Sequence, residues 1–195
     1  MNEILIISNK LGLNFSNIHK LASSKWNFIN IKPGLVGGHC LPVDPYYLSE
    51  IARINNIPSE IILTGRKVNN NMTQFVVSQI IERLKKLDNK KIRKILLIGA
   101  TYKPNVSDYR NSLAIKIHKI IKMNKGIKAD FYDPEINDNA VKIFKIKKKI
   151  NLKTPYNLYV FLVNHKKNNI IHNHLIKNGM QDKILDLFGF YSEKS

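Results

Sequence analysis

Cysteine is almost absent from this chain, and other features are missing too. Cys40 is the only cysteine among 195 residues, which excludes an intramolecular disulfide and fits a reducing compartment. No stretch approaches the roughly 20 apolar residues that a membrane-spanning helix needs. The first residues, Met1–Glu3, lack the basic segment that opens a signal peptide. Together these absences predict a cytoplasmic protein that does not cross a membrane.

Acidic residues are also scarce, and the charge is one-sided. The chain has 14 acidic and 32 basic residues, a formal net charge of +18, and a basic chain attracts polyanions in general. Arginine, which favours specific phosphate and base contacts, accounts for only five of the basic residues. The lysines are scattered, and their densest run, Lys145–Lys149, is short. Without a recognisable motif, the sequence does not favour dedicated nucleic-acid binding.

Apolar residues are plentiful enough for a folded core. They make up 44% of the chain, which argues against disorder, and the length suits one large domain or two small ones. In residues 1–90, helical spacing alternates with one irregular, glycine- and proline-rich stretch. The predicted helices are 2–13, 15–22 with Ser16 as N-cap, 46–56 and 59–87, and the irregular stretch is 23–47. We interpret this part as a helical domain.

Residues 91–195 have a different pattern. The short apolar run Ile95–Ile98 ends on Gly99, as buried parallel strands often do. Strands and helices then alternate, with a basic segment after Asp133-Pro134. The further predictions are a helix at 111–124, strands at 129–132 and 158–163, a helix at 168–178 and a strand at 184–187. This alternation predicts an α/β fold with an open, largely parallel, Rossmann-like sheet.

The irregular stretch contains the first candidate site, Gly37-Gly38-His39-Cys40 followed by Asp44. Two glycines let a backbone approach a ligand closely. A thiolate is a strong nucleophile, and an aspartate four residues later could act as a base or orient water. A lone cysteine is more often a small buried hydrophobe, so both interpretations stay open on the residues alone. For His39 we expect a structural role.

The loop after the first predicted strand is the second candidate site. It contains Lys103 and Arg110, which suit phosphate groups, and it lies where α/β sheets bind ligands. A solvated loop with ordinary charges is the alternative. Only Gly99 is present, so the GxGxxG dinucleotide fingerprint is missing. The pair His172 and His174 has no obvious partner cluster, so we predict a solvated loop there and no metal.

Three segments resemble the UDP-glucose/GDP-mannose dehydrogenase family. KWNFINIKPGLVGGHCLPVDPYYL, residues 25–48, resembles the catalytic-cysteine loop and is most similar to that of the UDP-N-acetylhexosamine 6-dehydrogenases. TGRKVNNNM, residues 64–72, resembles the start of the long linking helix. GATYKPNVSDYRNS, residues 99–112, resembles the UDP-binding domain. The order of the three matches the family.

The resemblance implies NAD-dependent oxidation of a sugar C6 hydroxyl to a carboxylate, for surface polysaccharide precursors. Cys40 matches the cysteine that captures the aldehyde as a thiohemiacetal and passes through a thioester, next to the cofactor. Asp44 matches the aspartate assigned to base or water-orienting work. Lys103 matches a lysine that contacts substrate, and Arg110 an arginine that reaches the cofactor. The implied substrate-binding loop consists of Ile31, Lys32, Pro33, Gly34, Leu35, Val36, Gly37 and Gly38.

The departures from the family pattern shape the remaining expectations. The family's N-terminal NAD-binding domain, and a lysine and an asparagine that precede Asn2-Glu3, have no counterpart here. A Gly-Arg pair that some members use for substrate is replaced by Leu187-Phe188-Gly189-Phe190. We therefore expect the C-terminal half of an enzyme, inactive alone, that forms a homodimer through its central helices and works with a separate N-terminal NAD-binding half. The rivals are a non-catalytic nucleotide-sugar binder and a basic interaction module.

Overall fold

The computed structural model describes residues 1–87 and 92–191. The helices are α1 (Asn2–Lys10), α2 (Phe15–Ser23), α3 (Asp44–Ile54), α4 (Glu60–Leu87), α5 (Leu113–Met123), α6 (Asp138–Phe144) and α7 (Asn169–Lys177). The strands are β1 (Arg93–Ile98), β2 (Ile127–Tyr132), β3 (Leu158–Phe161) and β4 (Ile184–Leu185). Short 3-10 helices at Lys166–Asn168 and Gln181–Lys183 precede α7 and β4.

The four strands form one parallel sheet in the order β2–β1–β3–β4. The central strand β1 pairs with β2 on one side and β3 on the other, so that Ile95 lies opposite both Ala129 and Leu158. Its last four residues are fully buried, as expected of a strand covered on both faces. The predicted α/β fold with a parallel sheet is confirmed.

Alternation along the strands builds a core on each face of the sheet. Ile95 and Leu97 belong to a core that includes α4 and α5, whereas Leu96 and Ile98 point to the opposite core beside α7. Successive strand residues face opposite sides, which explains this division. The C-terminal half of α4 therefore packs on the same face as α5, where its Met72, Val76, Ile80 and Leu84 are fully buried.

Two local predictions were wrong. The N-cap of α2 is Asn14, whose side chain accepts a hydrogen bond from the Asn17 N–H at 3.0 Å, rather than Ser16. Helix α6 lies in the segment that we described only as basic. It begins after Asn137, whose side chain caps the Ala140 N–H at 2.9 Å. Asparagine is a strong N-cap residue, and this signal was available in the sequence.

The predicted boundary between residues 90 and 91 lies within residues 88–91, outside the described residues. The division into a helical domain, 1–90, and an α/β domain, 91–195, thus stays a prediction. Within the parts of the chain that the structure describes, no helix is both long and apolar enough to span a membrane.

Candidate functional site

A crevice opens where the carboxyl ends of β1 and β3 diverge. The chain leaves β1 through a loop to α5 and leaves β3 towards α7, and these helices cover opposite faces of the sheet. Such a reversal of strand connections leaves a gap at the sheet edge, and open α/β sheets bind ligands there. The crevice holds a cavity of about 290 Å³. A site was predicted on the β1 loop, and the structure adds the β3 end to it.

The crevice brings together two segments that are far apart in the sequence. Of the predicted substrate-binding residues, Lys32 to Gly37 line one wall, and Lys103 lines the other with Tyr102 and Pro104. Ile31 lies instead in a neighbouring groove against α4, and Gly38 is not among the residues that line the crevice. The remaining lining residues are Leu41, Leu162, Val163, Asn164 and Phe190. Phe190 belongs to the segment Leu187-Phe188-Gly189-Phe190, which follows β4.

Two asparagines hold the loop at residues 31–38, the predicted substrate-binding loop, against the helices. Asn2 on α1 pairs with both backbone groups of Gly34: it donates to the carbonyl at 3.0 Å and accepts from the N–H at 2.9 Å. Asn69 on α4 donates to the Val36 carbonyl at 3.1 Å, and its Oδ1 accepts from Asn2 at 3.2 Å. An extended loop has no strand partner, so these amides satisfy its backbone. Neither asparagine was singled out from the sequence.

The paired glycines let this loop approach the α/β layer. A Cβ on Gly37 would lie 2.7 Å from the Asn111 carbonyl oxygen, and one on Gly38 would lie 2.9 Å from the Tyr102 ring. Gly38 also has φ +89°. Its N–H donates to the Arg110 carbonyl, and its carbonyl accepts from Asn111 Nδ2, both at 2.9 Å. The two glycines therefore let the loop approach other parts of the protein closely, whereas we predicted a close approach to a ligand.

Cys40 directly precedes Leu41, which lines the crevice, but is not itself one of the lining residues. The thiol is exposed, so it is not packed as a small hydrophobe. Its carbonyl accepts hydrogen bonds from the Val43 and Asp44 N–H groups at 2.9 and 2.8 Å, which ties Cys40 to the first turn of α3. Asp44 and His39 are also exposed. His39 acts electrostatically on Asp108 and is one of the smaller causes that lower the pKa of that carboxyl.

Arg110 faces Asp108 across an exposed ion pair of 2.6 Å. This pairing raises the pKa of the Arg110 guanidinium and lowers that of the Asp108 carboxyl. Smaller contributions to the Arg110 pKa come from Tyr102 and Cys40, so the guanidinium lies within electrostatic range of the thiol. Exposed pairs of this kind are weak, and Arg110 can exchange Asp108 for another anion at modest cost.

A buried Asp–His pair lies beneath the Lys103 loop. Asp133 follows β2 and His165 follows β3, and both side chains are fully buried. The carboxylate also accepts from the N–H groups of Ala100 and Thr101 at 2.6 and 3.0 Å. Burial opposes ionisation, but these bonds and the one from His165 outweigh it and lower the pKa of the Asp133 carboxyl. In the sequence, Asp133 was noted only as a residue that precedes the basic segment, and no role was predicted for it.

We predicted that the histidine pair lies in a solvated loop, and this prediction was wrong. His172 and His174 are on α7, and the His172 ring stacks on Tyr191 at 4.0 Å. Tyr191 borders a larger groove of about 520 Å³ between α1, α2 and the end of β4. That groove contains none of the predicted site residues, and we place the candidate site in the smaller crevice for this reason.

The described residues do not fit a dinucleotide such as NAD. In dinucleotide-binding folds, free backbone N–H groups after the first strand bind the pyrophosphate. Here the Ala100 and Thr101 N–H groups already donate to Asp133. The side of Gly99 is filled as well, because a Cβ there would lie 2.6 Å from the Val163 side chain. An anionic ligand can therefore bind at the Lys103 wall, but the described residues after β1 offer no N–H groups to the pyrophosphate of a dinucleotide.

Comparison with known proteins places both halves of the crevice in one family. Residues 1–71 match the central domain of the UDP-glucose/GDP-mannose dehydrogenase family, and residues 96–193 match that family's UDP binding domain. Protein CapL of Staphylococcus aureus is 39% identical over 145 residues, which are 74% of this chain and 34% of CapL. The UDP-N-acetyl-D-glucosamine 6-dehydrogenase of Pseudomonas aeruginosa is 40% identical over 138 residues, 70% of this chain and 32% of that enzyme.

Solved structures agree with this match. The UDP-N-acetyl-mannosamine dehydrogenase Cap5O of Staphylococcus aureus superposes with a TM-score of 0.71 at 28% identity, covering 94% of this chain and 40% of Cap5O. The UDP-D-ManNAc dehydrogenase of Pyrococcus horikoshii shares the fold, with a TM-score of 0.73 at 24% identity over 94% of this chain and 41% of that one. This chain spans about a third of the length of the curated relatives it matches. It belongs to the UDP-glucose/GDP-mannose dehydrogenase family.

Proposed function

We propose that this chain binds a UDP-N-acetylhexosamine in the crevice and supplies the cysteine nucleophile of a nucleotide-sugar 6-dehydrogenase. The observation that carries the proposal is the crevice itself, in which the Lys32–Gly37 backbone faces Lys103 across a cavity of about 290 Å³. Backbone groups and a lysine ammonium suit a diphosphate, and the apolar wall, which includes Leu162 and Phe190, suits a nucleoside. Relatives named as UDP-N-acetyl-D-glucosamine and UDP-N-acetyl-mannosamine dehydrogenases support the substrate class.

In this proposal Cys40 captures the C6 aldehyde of the sugar. The thiolate adds to the carbonyl carbon, a C–S bond forms, and the carbonyl π electrons move to oxygen, which takes up a proton to give a thiohemiacetal. Exposure of the thiol, one residue before Leu41 in the crevice wall, supports this role. Asp44, tied to Cys40 through the first turn of α3, is proposed to orient water for the later release of product.

NAD is the oxidant that membership of this family implies. Since the described residues do not fit it, we propose that a separate N-terminal half binds NAD. In the proposal, this chain positions the sugar and supplies the nucleophile. Arg110 is proposed to turn from Asp108 towards that partner's cofactor, since its present ion pair is exposed at 59% on the arginine side.

We also propose that two copies of this chain pair through α3 and the start of α4. This surface exposes a series of large apolar side chains, namely Leu48, Ile51, Ile54, Ile57, Ile61 and Leu63. Many large apolar side chains exposed on neighbouring helices favour an interface. Analytical ultracentrifugation of the wild type and of an Ile51→Lys, Ile61→Lys double variant tests this: we expect a dimer that dissociates in the variant, and a monomeric wild type would contradict it.

Calorimetry with UDP is the first test of the proposed function. We expect millimolar binding by the wild type, about tenfold weaker binding by Lys103→Met because a charge-assisted contact is lost, and unchanged binding by Lys125→Met, an exposed lysine in the turn after α5. Absence of binding, or equal effects of the two lysine variants, would contradict the proposal.

Reconstitution with a cognate N-terminal half then separates enzyme from binder. We expect uronate formation by the wild type and none by Cys40→Ser, because serine without an activating base is a poor nucleophile. The serine variant should keep UDP binding, since the change is nearly isosteric. Binding without turnover in the reconstituted wild type would instead support a non-catalytic nucleotide-sugar binder, and uronate formation by a folded serine variant would rule out covalent catalysis at Cys40.

A further inference from the structure

The loop that carries Lys103 is bonded to buried groups at both of its ends. At its start, the Thr101 N–H donates to Asp133 Oδ2 at 3.0 Å. At its end, the Asn105 N–H donates to His165 Nδ1 at 2.9 Å. Between them, the Thr101 hydroxyl donates to the carbonyl of Lys103 itself at 3.0 Å. Three hydrogen bonds over five residues therefore set the backbone from which the Lys103 side chain projects.

His165 links these contacts to one another through a single tautomer. A backbone N–H can only donate, so the bond from Asn105 makes Nδ1 an acceptor and leaves the ring proton on Nε2. That proton points to Asp133 Oδ2, 2.9 Å away, and to the Thr101 hydroxyl oxygen at 3.1 Å. The ring is thus neutral, and the contact with Asp133 is a hydrogen bond to a carboxylate. The carboxylate in turn orients the ring that holds Asn105.

This chain of bonds connects three parts of the sheet to the wall of the crevice. Asp133 follows β2, Thr101 follows β1 and His165 follows β3. Asn105 has φ +58°, in a region where most residues are strained, and its side chain adds a bond to the Lys166 N–H at 2.9 Å. Asparagine adopts this left-handed conformation more readily than most residues, and the bonds to His165 and Lys166 hold Asn105 in it.

We infer that His165, oriented by Asp133, is a positioning residue that holds Lys103 in place for the diphosphate of the nucleotide sugar. The inference rests on the proposed function, because it assigns His165 a role only through Lys103. A buried hydrogen-bonded pair is not by itself a reason for higher stability, since apolar replacements often serve as well. A loop fixed before the ligand arrives loses less entropy on binding, so its affinity is higher.

Two substitutions separate the two bonds of the ring. In His165→Asn the amide oxygen lies near the position of Nδ1 and can still accept from Asn105, while the bond to Asp133 is lost. In His165→Gln the longer amide can still donate to Asp133, while Asn105 loses its acceptor. His118→Gln is the matched control, because His118 is also a buried histidine but lies on α5 against Phe131.

UDP affinity, measured by calorimetry on the full chain, tests the inference. We expect His165→Gln to weaken binding about tenfold, which corresponds to one hydrogen bond, and His165→Asn to weaken it less than about threefold. His118→Gln should leave affinity unchanged. In a Lys103→Met background, His165→Gln should have less than about a twofold further effect, because residues that act through one another are not additive. Nitrogen NMR of the wild type should show the histidine proton on Nε2.

The outcomes separate this inference from the proposed function. If UDP does not bind, or Lys103→Met leaves affinity unchanged, the proposed function fails. If Lys103→Met weakens binding but His165→Gln does not, or weakens it equally in the Lys103→Met background, the positioning role is overturned. Should the His165 variants fail to fold, Thr101→Val decides: it is nearly isosteric and removes the bond to the Lys103 carbonyl. About threefold weaker UDP binding would support the inference, and unchanged affinity would overturn it.

Discussion

Alanine at Gly37 should separate the loop at residues 31–38 from the α/β layer. The new Cβ would lie 2.7 Å from the Asn111 carbonyl oxygen and 2.9 Å from the Tyr102 Cβ, whereas a carbon–oxygen contact normally needs about 3.3 Å. The first obstacle is backbone, which cannot rotate away as a side chain can. The loop must therefore shift by about half an ångström relative to Asn111.

The magnitude follows from what that shift disturbs. Overpacking a closed contact costs about 1–3 kcal/mol. The shift also weakens the two 2.9 Å hydrogen bonds at Gly38, which join it to Arg110 and Asn111, each worth about 1 kcal/mol. A total of about 3 kcal/mol lowers the melting temperature of a chain of this size by roughly 6–12 °C. UDP affinity should fall as well, because the same shift widens the crevice.

Thermal denaturation compares the melting temperature of Gly37→Ala with that of the control variant Gly34→Ala. Gly34 lies in the same loop, but a Cβ built on it meets no atom within 4 Å, so its variant should melt within about 2 °C of the wild type. UDP calorimetry on both variants then checks the effect on the site. Equal melting temperatures for the two variants would refute the reasoning, since the contact with Asn111 would then carry no energy.

The remaining predictions concern activity, stability in acid, and the asparagine contacts that hold the loop against the helices. The purified chain, mixed with UDP-N-acetylglucosamine and NAD, should produce no NADH, which absorbance measures. Steady NADH production would contradict the conclusion that the described residues do not fit a dinucleotide. Burial lowers the pKa of His118 to about 4, so between pH 6.5 and 4 the unfolded chain binds more protons. Stability should therefore fall as pH drops through that window, by about 2 kcal/mol after allowance for screening. Denaturant titrations of His118→Gln should lose this dependence. Asn69→Ala removes the hydrogen bond to the Val36 carbonyl and the one with Asn2. Urea denaturation should therefore show a free energy of unfolding lower by about 1–3 kcal/mol. An unchanged midpoint would show that these bonds do not stabilise the loop.

Local patterns in the sequence were enough to predict most elements. The apolar run Ile95–Ile98 identified the central strand because a strand buried on both faces must be apolar throughout. The spacing along 59–87 predicted α4 because one stripe of a helix faces the core. Short elements were less secure: α6 has only seven residues, too few for a clear period, and its basic composition concealed it. The distinctive residues around Cys40 identified the family before any geometry was known.

Only the tertiary structure brought Lys32–Gly37 and Lys103 to opposite walls of one crevice, since residues about 70 apart share no local signal. The same is true of the pair formed by Asp133 and His165, which are 32 residues apart and meet because parallel strands end at the same edge. The sequence by itself determined most of the helices and strands, α6 excepted, and which residues are chemically able to act. The packing of the strands and of α4 decided which of them meet, because burial and backbone hydrogen bonding are satisfied only in the assembled fold.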